Sequence, residues 1–357
     1  MLWKRADETD KRRVWSVYGS FIALTFAGSC FGALAWSANL RYLVLFFTVQ
    51  NMTSGLLDPN LTLPQLVASA TQICTMSAQQ SRWLAAYYVL YALEFMCLSV
   101  AKLMMLHRMT DFAITKDDQR SRQLVIAGRI VMACVVVGNL VGLGGNIGAA
   151  VDWSRKAQIF DDLAAAMSAS NSNLVDSLRS QLDGKSSQAN VASSVQEFSE
   201  VVVLLLIIAA FSVAGIMSLR RISSALDILA DEANAAGILG RQLQRKIGST
   251  VVFVFVTFLL RAVFSVMNAL ADALNNAADA INCSSSASQC DNPCLNVYTL
   301  MQLWFTGTPE VQLLIILISS PLSMLVALWG MTSDRTLDVM LPGKSALQHF
   351  DEMRPVS

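Results

Sequence analysis

Charge is scarce in this chain. Asp, Glu, Lys and Arg make up 15% of its 357 residues, where a soluble domain carries about a quarter. Histidine is scarcer still: His107 and His349 are the only two, and neither has a companion at metal-ligand spacing. The sequence lacks G-x-x-x-x-G-K-[ST], H-E-x-x-H and G-x-S-x-G, the arrangements that cradle phosphate, hold a catalytic zinc or present a serine nucleophile. Its formal net charge of +0 says nothing against nucleic acid by itself, but a basic stripe with interleaved aromatics is also missing, so nucleic acid is not an expected partner. An intramembrane hydrolase needs clustered carboxylates or histidines, and the apolar segments offer one isolated glutamate. The absences together predict no enzymatic activity, no cofactor and no metal.

What is there is apolar. Hydrophobic residues form 54% of the chain and its mean hydropathy is +0.48. A membrane span needs about 20 mostly apolar residues. Six stretches qualify: Val14 to Trp36, Trp83 to Leu106, Leu124 to Val151, Val201 to Leu219, Ser249 to Leu270 and Val311 to Met331. The expected fold class is all-α, a polytopic transmembrane helical bundle over 14–331, between a tail at 1–13 and another at 332–357. The run Tyr42 to Val49 is too short to cross, and either extends the first helix or lies at the interface. A competing reading takes the basic segment, the first apolar run and Ala33-Leu34-Ala35 as a signal peptide with its cleavage site, which leaves five helices.

Three signals agree on orientation. The side holding both termini and the 107–122 and 220–246 loops is rich in Lys and Arg, among them Lys4, Arg5, Arg220, Arg221, Arg245 and Lys246. The other side holds only Arg41, Arg155, Lys156, Arg179, Lys185 and the boundary residue Arg82. The positive-inside rule therefore places both termini in the cytosol. The glycosylation sequons at Asn51, Asn60 and Asn282 all fall on the non-cytosolic side. So do the loop cysteines Cys74, Cys283, Cys290 and Cys294, which allow two disulfides with three connectivities in an oxidising space. A eukaryotic secretory route follows, to the plasma membrane or an endomembrane of the secretory or vacuolar system.

Between the third and fourth spans, Asp152 to Glu200 is polar and rich in Ser and Ala. Ile159, Leu163 and Met167, then Leu174, Leu178 and Leu182, recur at helical spacing. The expectation is a helical excursion outside the membrane, interrupted at Asp183-Gly184-Lys185. The stretch Arg220 to Lys246 is amphipathic, and reads either as a continuation joining two spans or as a surface that receives a cytosolic protein partner.

Ionisable groups within lipid are costly unless paired, which makes them the natural site candidates. Glu94 and Arg261 lie at similar mid-depth and are expected to pair between helices. Lys102 and Arg129 lie nearer the cytosolic ends and are expected to snorkel outward. In the third span Gly138, Gly142, Gly144, Gly145 and Gly148 allow close backbone approach. Asn139 and Asn146 share a face and are candidates for hydrogen bonds across the bundle or for lining a polar pocket.

The C-terminal half has a further pattern. Arg245-Lys246-Ile247-Gly248 precedes a helix bearing Phe258 and Arg261, and Leu295-Asn296-Val297-Tyr298 and Pro309-Glu310 precede a final helix containing Pro321. Over residues 240–330 this order resembles the tobamovirus multiplication protein family, seven-helix membrane proteins similar to G-protein-coupled receptors. The resemblance implies a seven-helix receptor-like fold lacking its first helix, with the six spans here matching the family's second to seventh. The loops at 283–294 and 152–200 depart from the family's short connections, and neither an Asp-Arg-Tyr-type triplet nor Asn-Pro-x-x-Tyr is present. The leading expectation is a receptor-like or scaffold protein of the lipid bilayer. Its rival is a transporter or channel using Glu94, Arg261 and the polar face of the third span.

Overall fold

The computed structural model describes residues 8–56, 62–113, 119–169, 171–229 and 234–280, with 297, 299–301 and 326. Five helices occupy them: α1 (Glu8–Gly55), α2 (Leu63–Ala113), α3 (Gln119–Ser168), α4 (Ser172–Leu229) and α5 (Asn234–Ala280). Each packs antiparallel against the next, and α2 also meets α4. All five are long and apolar enough to cross a membrane. The sixth expected span, 311–331, lies outside the described residues apart from residue 326.

The helices run well past the apolar stretches that identify them. At 47 to 58 residues and about 1.5 Å per residue they measure roughly 70–87 Å, against a hydrocarbon layer of about 30 Å. Tyr42 to Val49 continues α1, and residues 8–13, expected as tail, are already helical. The excess length projects mainly at the end where α1 joins α2 and α3 joins α4, here called the hairpin end.

Local sequence explains where the helices stop. Thr62-Leu63-Pro64-Gln65 opens α2 with one half of a capping box: Gln65 Oε1 accepts from the Thr62 N–H at 3.0 Å and from its hydroxyl at 2.7 Å. Asn171 Oδ1 accepts from the Leu174 N–H at 3.3 Å and opens α4. The interruption expected at Asp183-Gly184-Lys185 is absent, because α4 passes straight through it. A Cβ on Gly184 would meet nothing within 4 Å, so the glycine costs only its helix propensity, about 1 kcal/mol. The next residue offsets that by reaching α3, with Lys185 Nζ 3.2 Å from Asp152 Oδ1.

Two apolar clusters divide the bundle along its length. The larger joins Phe21, Phe95, Val135, Val203, Ile207, Phe211, Val254 and Phe258, and lies within the membrane-crossing portion. Large apolar side chains on the outer faces there, such as Phe26, Ile130, Val137, Val202 and Val252, are exposed as lipid requires. The smaller cluster holds the projecting hairpin together through Cys74, Ile159, Leu163 and Leu178, with Met167 and Leu182 packed on it. Leu174, expected on that face, points outward at 44% exposure, and Val175 packs in its place. Arg82 and Asp161 add an ion pair between α2 and α3.

The buried Cys74 carries a free thiol inside that cluster. Its surroundings are the α3 and α4 side chains of the hairpin core. Cys283, Cys290 and Cys294 lie outside the described residues, as do Asn60 and Asn282. Asn51 is exposed in the last turn of α1.

The glycines of α3 set how closely α4 approaches. A Cβ on Gly138 would fall 2.5 Å from Val203 Cγ2, and one on Gly145 would fall 2.8 Å from the Ala192 carbonyl oxygen. Gly144 faces open space. These neighbouring positions predict opposite outcomes in thermal unfolding of the detergent-solubilised protein. Gly145→Ala must push backbone from backbone and destabilises by about 1–3 kcal/mol. Gly144→Ala is neutral, or stabilising by up to about 1 kcal/mol.

Candidate functional site

Midway along α2, Glu94 occupies the face that also carries Tyr91, Leu98 and Lys102, a spacing of three to four residues that keeps them on one side of a helix. The whole face turns inward, and all four side chains are buried. Opposite stands α5, whose Phe258, Arg261 and Ser265 repeat the same spacing and are also buried. The expected pair forms: Arg261 Nη1 lies 3.9 Å from Glu94 Oε1, with both side chains almost completely excluded from solvent.

The closer partner of Arg261 is a residue outside the expected spans. Glu200, at the polar edge of the fourth apolar run, is buried on α4. Its Oε1 accepts from Arg261 Nε and Nη2, both at 3.4 Å, and from the Ser265 hydroxyl at 3.3 Å. Its Oε2 accepts from the Tyr91 hydroxyl at 2.6 Å and from Gln196 Nε2 at 2.9 Å. Arg261 Nη2 also lies 3.4 Å from the Tyr91 oxygen. Removing an ion from water costs several kcal/mol even after relaxation, and repayment needs good geometry together with hydrogen bonds to the remaining lone pairs. Glu200, with donors on three helices, meets that condition.

The first helix supports the site by having no side chain there. A Cβ on Gly32 would lie 2.9 Å from the Glu94 carboxyl carbon, and one on Gly28 would lie 2.9 Å from Leu98. The backbone of α1 therefore packs directly over the Glu94 carboxylate. Gly28 and Gly32 are four residues apart, the small-residue spacing that permits such an approach.

Lys102 does not snorkel. It is fully buried, with Nζ 4.8 Å from the centroid of the Phe258 ring. Its place at i+8 from Glu94 puts it on the inward face, where its short distance from the helix end cannot bring it to water. Its Nζ makes no hydrogen bond among the described residues, so the contact with the Phe258 π-face is the stabilisation seen. Phe258 in turn packs edge-on against Phe211, with centroids 5.6 Å apart. Arg129 is exposed on α3, in keeping with its expected outward position.

Asn139 and Asn146 are buried and make no hydrogen bond to another helix among the described residues, so of the two readings of this face close packing is the one seen. Asn139 Nδ2 donates 2.8 Å to the Val135 carbonyl of its own helix, and the Oδ1 atoms of both residues accept no hydrogen bond among the described residues. On this face the Ser199 hydroxyl of α4 donates 2.5 Å to the Gly138 carbonyl of α3. Close packing through glycine accounts for this face, and neither asparagine reaches the Arg261 cluster.

On the hairpin side of Arg261 a cavity of about 60 Å³ opens between α2, α4 and α5. Tyr87, Tyr88, Tyr91, Gln196, Glu197, Glu200, Phe264, Ser265 and Asn268 line it. A cavity of that size has room for a few waters, each of which takes about 30 Å³ in the liquid. The Tyr88 hydroxyl and Ser193 Oγ are 3.0 Å apart and join α2 to α4 beside it. On the other side of Arg261 the pair Phe258 and Phe211 fills the core. Among the described residues, no three His, Cys, Asp or Glu side chains come together to hold a metal ion.

Compared with protein-family models, with curated proteins and with solved structures, the chain matches none. Its helices make it an integral, multi-pass membrane protein of the lipid bilayer.

If Arg261 and Glu200 act as one unit, their substitutions are not additive. Arg261→Ala and Glu200→Ala each strand a buried charge and cost about 3–5 kcal/mol. The double variant loses less than their sum by about 1–3 kcal/mol, the range for residues sharing one network. Reversible unfolding in mixed micelles measures all three, and additive losses would refute a shared network.

Proposed function

We propose that this membrane protein is receptor-like. It keeps both termini in the cytosol, admits a small ligand from the non-cytosolic side, and communicates occupancy through α4 and α5 to the segment 220–246, where a cytosolic protein docks. The observation that carries the reading is the cavity ending on the Arg261 cluster, with Phe258 and Phe211 closing the core beyond it. A blind cavity suits binding better than passage. A ligand there touches Tyr91 and Glu200, which hold Arg261, so binding and helix packing share the same atoms. The resemblance of residues 240–330 to the tobamovirus multiplication protein family belongs to this proposal, with Arg261 as the central arginine. Apart from Val297, the quoted residues of the luminal loop and last helix lie outside the described residues. Catalysis forms no part of the reading, since both buried carboxylates are engaged by the guanidinium.

A transporter is the second reading, and one observation favours it. Lys102 continues the buried charges beyond the aromatic pair, so that polar groups extend along much of the crossing. Two measurements decide. In a secretory membrane, endoglycosidase treatment speeds the migration of the wild-type chain, and Asn51→Gln and Asn60→Gln each remove part of that shift; unchanged migration would invert or abolish the proposed orientation. In dye-loaded liposomes, the reconstituted protein dissipates no K⁺, Na⁺ or proton gradient beyond protein-free controls. Steady flux that Arg261→Ala removes would replace the receptor reading with the transporter.

A further inference from the structure

We propose that the cavity beside Arg261 is a binding site for a small primary ammonium ion, an inference that rests on the receptor-like reading and specifies its ligand class. Three features point to a cation. First, α2 presents consecutive and stacked aromatic rings to it: Tyr87 and Tyr88 meet edge to face at 5.5 Å, and Tyr87 and Tyr91 stack at 5.6 Å. Aromatic faces attract an ammonium group, most strongly where water is excluded. Second, α4 contributes two carboxylates to the lining, Glu197 and Glu200, while none of the described lining side chains is cationic. Third, the other polar lining groups, Ser265, Asn268 and Gln196, carry acceptor oxygens. A primary ammonium carries three donors and is satisfied by such a set.

Arg261 is the natural objection, since a fixed cation nearby repels another. The geometry answers it. Arg261 stands behind Glu200 and is absent from the lining. Its guanidinium is engaged with Glu200, Glu94 and the Tyr91 oxygen. The face turned to the cavity is therefore carboxylate and tyrosine. The space sets the size of the ligand: a cavity of about 60 Å³ admits an alkylammonium of a few heavy atoms and is too small for a bulky quaternary ion. Specificity for ammonium over an alcohol of the same shape comes from charge: the described lining holds two carboxylates and no cation, and a neutral hydroxyl gains nothing from that field.

The test uses the full chain in detergent, with binding read by calorimetry and by the shift in unfolding temperature. Ethylammonium chloride is the probe; sodium chloride at equal ionic strength, ethanol and tetraethylammonium are the comparisons. Ethylammonium is expected to bind saturably and raise the unfolding temperature, and the three comparisons to do neither. Glu197→Gln is expected to weaken ethylammonium binding at least tenfold. Asn268→Leu, which removes an acceptor without touching a charge, is expected to weaken it at least threefold and decides alone if the glutamine variant does not fold. No saturable response in the wild type, an equal response to sodium or ethanol, or affinity unchanged in the folded variants would overturn the proposal. The receptor reading fails separately: binding accompanied by flux leaves the site standing and removes the receptor, whereas silence to ethylammonium without flux removes only the ligand class.

Discussion

A guanidinium enclosed by helices in the middle of a bilayer has no water to fall back on, so the protein must surround it with acceptors. Arg261 is in that position, and its needs explain much of the bundle. Glu200 gives it a carboxylate from α4 at 3.4 Å and Glu94 a second from α2 at 3.9 Å. Tyr91, Gln196 and Ser265 occupy the remaining lone pairs of Glu200. Even α1 is fitted to the cluster, through a glycine that lets its backbone lie against Glu94. Four of the five helices are thereby fixed in depth and rotation by one ionic knot. Apolar packing cannot do this as well, because lipid tails are as apolar as the side chains they compete with.

Much of this was legible in the sequence. The five described spans follow from hydropathy, because every backbone polar group in lipid must be satisfied within its own helix. The Glu94–Arg261 pair follows from two opposite charges at equal depth. Glu200 was not legible from its neighbourhood, since it ends a polar stretch and its burial depends on α2 and α5. A charge count within the spans contained the hint: Lys102 and Arg261 outnumber Glu94, and an enclosed core has to find another carboxylate. Distance from the helix end points Lys102 outward, whereas its register with Glu94 and Leu98 places it inside. The asparagines of α3 suggested a polar face, but the adjacent glycines decide the packing there.

The ends of the helices illustrate a different limit. A drop in hydropathy marks where the solvent changes from lipid to water, and a helix need not stop there. The stretch 152–200 is polar and serine-rich yet helical, because a second apolar cluster of α2, α3 and α4 gives it a core of its own. Gly184 is tolerated on its exposed side, and α4 opens at Ser172, where Asn171 supplies a cap.

The unbroken length of α4 has a mechanical consequence. The same rod begins in the projecting hairpin, carries Gln196 and Glu200 at the ionic knot and runs on to Leu229. With no joint along it, a tilt of the hairpin cannot be absorbed locally. Were the rod to pivot at the knot, displacement of one arm would appear at the other in the opposite sense.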